Sequence, residues 1–101
     1  MNMQKLMQEA QRMQLQLQKD QKELEQTTYV GNSSLVTISV TGAYEVKEVK
    51  INLPENESFD SLDKEMLEDM FLVAMNDVLK KISSDKEKKM GKYGQGISGL
   101  M

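Results

Sequence analysis

The residues of this 101-residue sequence that are best suited to chemistry are a group of lysines in its last quarter. Residues 78–101 carry six lysines against two acidic residues, and the lysines are Lys80, Lys81, Lys86, Lys88, Lys89 and Lys92. Ammonium groups at this density can bind the phosphates of a nucleic acid and release its counterions. They can equally form the solvated end of a helix, where the helix dipole favours positive charge.

Residue types that serve enzymes are scarce. The sequence contains neither cysteine nor histidine, which removes thiolate chemistry, the usual general base near neutral pH and the commonest transition-metal ligand. Residues 55–77 hold eight acidic side chains and one lysine. Among them, Glu65, Glu68 and Asp69 could approach a divalent cation but lack the loop spacing of a cation site, and acidic residues also suit the first turns of a helix. We therefore predict no catalysis, no cofactor, no metal and no small-molecule substrate.

The first element that must position these residues is a helix predicted over about residues 2–26, which contain no glycine or proline. Its apolar residues follow a heptad seam that only Asp20 interrupts, namely Met3, Leu6, Ala10, Met13, Leu17 and Leu24. So narrow a stripe needs a partner, either the same helix of a second chain or the protein's own sheet. The other faces carry eight glutamines and a row formed by Lys5, Arg12 and Lys19. These side chains could contact DNA or could be solvated.

Three strands are predicted next, over about residues 27–31, 35–41 and 45–53, because apolar and polar residues alternate there. Gly42-Ala43 marks a tight turn, and Lys47-Glu48 interrupts the alternation in the third strand. The resulting antiparallel sheet has one polar face. Its other face must therefore be covered by a helix or by a second subunit.

A second long helix is predicted over about residues 61–90, capped by Asp60 or Ser61. Its core stripe consists of Leu67, Phe71, Ala74, Val78 and Ile82. Beyond Ile82 the same stripe continues as Asp85, Lys88, Lys89 and Lys92. We therefore expect the helix to project past the core with a basic inner face. Residues 91–101 are predicted to form a flexible glycine-rich tail.

Further apolar residues widen the stripe of this helix beyond the needs of one small sheet, namely Met66, Met70, Met75 and Leu79. We interpret them, together with Asn76, as a dimer interface rather than as a promiscuous groove. Asn76 and Asp77 are expected to hydrogen-bond across that interface or to cap a neighbouring element.

The composition also bears on assembly and location. Hydrophobic residues make up 39% of the chain and tryptophan is absent, so a single domain over residues 1–90 has a modest core and a homodimer is expected. The sequence has no apolar run of about eighteen residues and no signal-peptide pattern. We expect a cytoplasmic protein without membrane contact.

Several segments of the sequence are similar to those of one known family. They are the Met/Gln-rich opening from Met3 to Gln18, Val30-Gly31, Thr41-Gly42 followed by residues 46–51, the acidic run Asp63 to Asp69, and Ala74 to Asp77 followed by the lysines up to Met90-Gly91. With these segments in this order, the chain resembles the YbaB/EbfC family of nucleoid-associated DNA-binding proteins. The similarity covers essentially the whole chain.

The resemblance implies an α+β fold of order α-β-β-β-α, a three-stranded antiparallel sheet flanked by two long helices, in a tongs-shaped homodimer. It also implies association with the bacterial nucleoid and binding of double-stranded DNA with little sequence preference. Our hypothesis is that phosphates are contacted by Lys81, Lys88, Lys89 and Lys92, with Lys5, Arg12 and Lys19 as a second row. The alternative is an adaptor for replication or recombination proteins that does not contact DNA.

Overall fold

The computed structural model describes residues 2–58, 60 and 62–98, with side chains in the last helix described as far as Tyr93. The elements are α1 (Met3–Gln26), β1 (Thr28–Ser33), β2 (Val36–Thr41), β3 (Val46–Ile51) and α2 (Lys64–Ser98). The three strands form one antiparallel sheet in the order β1-β2-β3. This confirms the predicted α+β class and element order. The molecule is elongated, measuring 72 × 22 × 15 Å.

The strands differ slightly from their predicted bounds. β1 runs two residues past Gly31 to Ser33, because Asn32 and Ser33 still pair with β2. The turn therefore falls on Ser34, which adopts a left-handed φ of 50°. The predicted irregularity in β3 is confirmed. Ser39 pairs with Glu48 and Val40 with Val46, so Lys47 is an extra residue in the ladder.

The residue that caps the start of α2 differs from the prediction. The carboxylate of Asp63 accepts a hydrogen bond from the Glu65 N–H at 2.9 Å, and its carbonyl accepts from Leu67 N–H, so Asp63 caps this helix rather than Asp60. Ser61, the other predicted cap, lies outside the described residues. At the start of α1, the Asn2 side chain accepts from the N–H groups of Gln4 and Lys5.

The end of α2 lies further along the chain than predicted, inside the segment expected to be a flexible tail. The helix continues to Ser98, about two turns beyond Met90. The glycine spacing indicated a break there, but isolated glycines only lower helix propensity by about 1 kcal/mol each. Residues 99–101, the rest of the predicted tail, lie outside the described residues.

The core lies between α2 and one face of the sheet, as the stripe predicted. Ala74, Val78 and Ile82 are fully buried against three β2 side chains, namely Val36, Ile38 and Val40. Leu67 and Phe71 are partly buried beside them. The helix can approach β1 closely because residue 31 is glycine. A Cβ there would lie 2.2 Å from the Ala74 carbonyl oxygen.

Within the single chain, α1 packs mainly on α2 rather than on the sheet. Within the chain, α1 packs along the C-terminal part of α2, with Leu24 buried at one end of this contact and Tyr93 at the other. Gly42, directly after β2, allows the end of α1 to approach the sheet, since a Cβ there would lie 1.9 Å from the Leu24 carbonyl oxygen. As expected, α2 extends past its core at Ile82, but α1 packs on the projecting part and covers some of it. Within the described residues, neither helix has an apolar stretch that could cross a membrane.

Candidate nucleic-acid interface

The seven cations predicted to contact DNA fall into two groups. Three of them form ion pairs inside the chain, Lys81 with Asp77 at 3.2 Å, Lys89 with Asp85 at 3.3 Å and Lys92 with Asp20 at 3.2 Å. The other four are exposed and have no ion-pair partner among the described side chains, namely Lys5, Arg12, Lys19 and Lys88. Three of the four lysines of the first predicted set are thus paired, whereas the three cations of the second row are not paired with any described side chain.

Lys81 and Asp77 attach α2 to the edge strand β1. The Lys81 ammonium donates to the Val30 carbonyl oxygen at 2.7 Å, and the Asp77 carboxylate accepts from the Asn32 N–H at 3.1 Å. This N–H, with Lys81 as a smaller cause, holds the pKa of Asp77 below its usual value. Of the two roles predicted for Asp77, the structure shows the capping of a neighbouring element. Side chains that engage β1 in this way also shield a sheet edge from further strand pairing.

Asp85 attaches α2 to β1 at a second point. Its carboxylate accepts a hydrogen bond from the Tyr29 hydroxyl and pairs with Lys89 on the next turn of α2. Burial, together with this hydrogen bond, raises the pKa of Tyr29 to about 12. The same hydroxyl is the largest cause that lowers the pKa of Asp85. Asp85 is therefore an ionised internal partner for Lys89.

Asp20, in turn, attaches α1 to α2. Its side chain is only 13% exposed. The carboxylate accepts hydrogen bonds from the Tyr93 hydroxyl at 2.6 Å and from the Gln16 amide at 3.0 Å. Lys92 adds an ion pair at 3.2 Å and lies 5.0 Å from the centre of the Tyr93 ring. Tyr93 is the largest cause that lowers the pKa of Asp20. The acidic residue that broke the heptad seam is thus the point at which α1 is attached to α2.

Sequence reasoning missed the roles of Tyr29, Tyr93 and Asp20. One signal was available, because an aspartate at an apolar seam position requires a hydrogen-bonding partner. The identity of that partner was not available, because Asp20 and Tyr93 are 73 residues apart in the chain.

We call α1 together with residues 83–93 of α2 the arm. Two grooves follow the helix contact in the arm. One contains Arg12, Met13, Lys92 and Tyr93, and the other contains Lys86 and Met90 beside the β2–β3 turn. Lys5 and Lys19 lie seven residues from Arg12 on the same face of α1. Lys88 lies seven residues beyond Lys81, on the side of α2 that faces β1.

Charge is distributed unevenly along the molecule. Among the described side chains of the arm, the cations without an ion-pair partner are Lys5, Arg12, Lys19, Lys22, Lys86 and Lys88, against Glu9, Glu23, Glu25 and Glu87. The start of α2 and the loop before it are strongly acidic instead. The arm is therefore the positive end of an otherwise acidic protein, whose net charge is −3. Among the described residues, no three acidic side chains are grouped so that they could hold a metal ion.

A second exposed surface is apolar. Val46 and Val49 pair with the buried β2 residues Val40 and Ile38, so they share the core face of the sheet. Each is nevertheless 48% exposed, because α2 lies over β1 and β2 and leaves β3 uncovered. Helical geometry places Leu79 on the flank of α2 opposite Lys81, next to this uncovered face.

The residues predicted for a dimer interface occupy different places. Met70 and Met75 pack against the core of their own chain. Met66 and Leu79 are exposed, on opposite flanks of α2. Asn76 is exposed and lines a shallow depression with Val73 and Lys80.

Comparison with known proteins gives consistent matches. A model of the YbaB/EbfC DNA-binding family matches residues 1–97. A nucleoid-associated protein of Ligilactobacillus salivarius is 36% identical over 99% of this chain and 95% of its own length. One from Corynebacterium jeikeium is 42% identical over 98% of this chain and 94% of its own length. One from Francisella philomiragia is 44% identical over 93% of this chain and 84% of its own length.

A solved structure also has this fold. The crystal structure of an uncharacterized protein from Helicobacter pylori superposes with a TM-score of 0.69 at 21% identity, over 92% of this chain and 97% of that one. This likeness concerns the fold alone, whereas the family is shown by the sequence matches over nearly the full length. The chain therefore belongs to the YbaB/EbfC DNA-binding family of bacterial nucleoid-associated proteins.

Proposed function

We propose that the protein binds double-stranded DNA as a homodimer, with little sequence preference, in the bacterial nucleoid. The observation that carries this proposal is the concentration on the arm of exposed cations that have no ion-pair partner among the described side chains, chiefly Lys5, Arg12, Lys19 and Lys88. Cations in open solvent are free to replace the counterions of a phosphate backbone. The names of the family and of its relatives support the same partner.

Little sequence preference is expected from the kind of residues on the arm. Its cations are long, flexible side chains that suit phosphate contacts, and such contacts fix position without reading sequence. Besides the cations themselves, the glutamines of α1 are the residues of the arm that could hydrogen-bond to base edges. Helical geometry places most of them on one side of α1, away from its apolar seam, and all of them are exposed. We interpret them as solvated helix formers.

A salt series tests DNA binding directly. We expect a labelled random-sequence duplex of about 30 base pairs to be bound with an affinity that falls steeply with salt, with a logarithmic slope of about −0.9 per phosphate contact. Fluorescence anisotropy measures this, and unlabelled DNA of unrelated sequence should compete equally. No binding at low salt would refute the proposal.

The uncovered face of β3 supports the dimer. Val46, Val49 and Leu79 form an apolar surface beside the core, and a second copy that covers it would extend a core that is small in one chain. The same contact on both subunits is what a two-fold axis requires. We therefore place the interface on the β3 flank, which includes Leu79 and Met75 of the predicted set and excludes Met66.

A matched pair of substitutions tests this interface. Leu79→Lys should convert the dimer to a monomer at micromolar concentration, because it places a charge in the apolar contact. Met66→Lys makes the same change on the opposite flank of α2 and should leave the dimer intact. Sedimentation velocity gives the molar mass of each variant. The reverse result would move the interface to the Met66 flank.

One observation favours a second function. The acidic start of α2 bears exposed apolar side chains, Met66 and Val73, in a combination that suits a basic protein partner. The chain could then act as an adaptor for replication or recombination proteins without contacting DNA. A partner that is retained after nuclease treatment, together with absent DNA binding in the salt series, would favour the adaptor.

A further inference from the structure

Two carboxylates lie inside the basic arm and hold lysines that could otherwise face DNA. Asp20 pairs with Lys92 at 3.2 Å and Asp85 pairs with Lys89 at 3.3 Å. Each carboxylate also accepts a hydrogen bond from a tyrosine, Tyr93 or Tyr29 respectively. The two clusters have the same composition, an aspartate between a tyrosine hydroxyl and a lysine ammonium, although they join different elements.

We propose that Asp20 and Asp85 are autoinhibitory counter-ions, which occupy Lys92 and Lys89 as a DNA phosphate would and thereby lower the affinity of the arm for DNA. The inference rests on the proposed DNA-binding function and deepens it. It assigns a regulatory role to these two acidic residues of the arm, in addition to their structural contacts.

The geometry allows each lysine to exchange its carboxylate for a phosphate. The side chains of Lys92 and Lys89 are 59% and 33% exposed, so both ammonium groups are accessible from solvent. Partly exposed ion pairs of this kind contribute little to stability. When Lys92 leaves, Asp20 keeps its hydrogen bonds from Tyr93 and Gln16. The exchange therefore leaves no carboxylate without a donor, which would otherwise oppose it.

Both lysines lie close to a cation that has no ion-pair partner among the described side chains. Lys92 lines the same groove as Arg12, and Lys89 follows Lys88 in the chain. A duplex held by Arg12 and Lys88 would thus bring phosphates within reach of the two paired lysines. Their release would add contacts to a surface that is already engaged.

Among the lysines predicted to contact DNA, the third that is paired shows by contrast what the proposal requires. Lys81 pairs with Asp77, but it also donates to the Val30 carbonyl oxygen. Its ammonium is attached to β1 independently of the carboxylate. Removing the charge of Asp77 should therefore release no cation to DNA, and we restrict the proposal to Asp20 and Asp85.

Asparagine substitutions test the proposal, because asparagine keeps an acceptor oxygen for the tyrosine but removes the charge that holds the lysine. We expect the double variant Asp20→Asn/Asp85→Asn to bind random-sequence duplex at least about tenfold more tightly near 0.1 M salt. Its salt dependence should steepen by about 0.9 for each lysine that reaches a phosphate. Anisotropy over a salt series gives both quantities.

The matched control is Glu87→Gln, which removes one negative charge from the same helix without releasing a lysine. It should leave the slope of the salt dependence unchanged. Adding Lys89→Met to Asp85→Asn should abolish the gain of that single variant, because the released cation is then missing. This reversal also excludes an altered fold as the source of the gain.

Two results would overturn the inference. If the wild type binds DNA but the asparagine variants bind no more tightly than Glu87→Gln, Asp20 and Asp85 are structural ties only, and the proposed function stands. If neither the wild type nor any variant binds at low salt, the inference and the proposed function fail together.

Discussion

Replacing Arg12, Lys19 and Lys88 by glutamate is expected to weaken binding to random-sequence duplex DNA by at least about 100-fold near 0.1 M salt. All three side chains are exposed and have no ion-pair partner among the described residues. Each reversal would remove a proposed phosphate contact and introduce a repulsive charge, and in the proposed homodimer each change is present twice. The loss should be accompanied by a shallower salt dependence, measured by anisotropy, because fewer counterions are released.

A matched pair of substitutions distinguishes the loss of a local contact with DNA from a change in the net charge of the protein. Lys88→Glu and Lys64→Glu change the net charge of the chain by the same amount, and both positions lie on α2. Lys64 is at the acidic end of that helix, paired loosely with Glu68 at 3.8 Å. We expect Lys88→Glu to weaken binding about tenfold and Lys64→Glu to leave it nearly unchanged. Equal losses would mean that the arm has no special part in DNA binding.

Gly31→Ala is expected to lower the free energy of unfolding by about 3 kcal/mol. Its Cβ would lie 2.2 Å from the Ala74 carbonyl oxygen and 2.7 Å from the Val78 nitrogen. Both are backbone atoms of a helix, which cannot move aside as a flexible side chain can. The helix must instead separate from the sheet and lose contacts throughout the core.

Gly91→Ala is the control for this substitution. A Cβ at residue 91 meets no atom within 4 Å, and the residue lies within α2. Alanine should therefore raise stability by up to about 1 kcal/mol through helix propensity alone. Chemical denaturation monitored by circular dichroism compares the two variants. If Gly31→Ala were as stable as the wild type, the close packing of α2 on β1 would be wrong.

Local patterns in the sequence were sufficient to predict every element of the fold. The alternation in β2 and β3 and the stripe from Leu67 to Ile82 are periodic signals, and periodicity reports which face of an element is buried. Even the extra residue at Lys47 was visible, because a bulge disturbs the period within one strand. Element ends were less accurate. Strand pairing carries β1 past Gly31 to Ser33, and α2 continues to Ser98 past isolated glycines, which lower helix propensity only modestly.

The candidate site was predictable only in part. The sequence by itself determined which residues are cationic and that they cluster near the two helices, because charge is a property of the residue type. The pair of Lys89 with Asp85 is local, because the two residues are four apart on one helix. Only the tertiary structure decided that Lys92 is paired with Asp20, whereas Arg12 in the same groove is exposed and has no ion-pair partner among the described side chains.

The physical reason is that an ion pair depends on distance in space and not on separation in sequence. The pairing of Lys92 with Asp20 requires that α1, at the start of the chain, pack on the distant end of α2. Helical and strand periods extend over a few residues, so they describe each element but not which element it meets. The sequence thus determined the elements and their buried faces, and the packing of α1 on α2 decided which charges remain available to DNA.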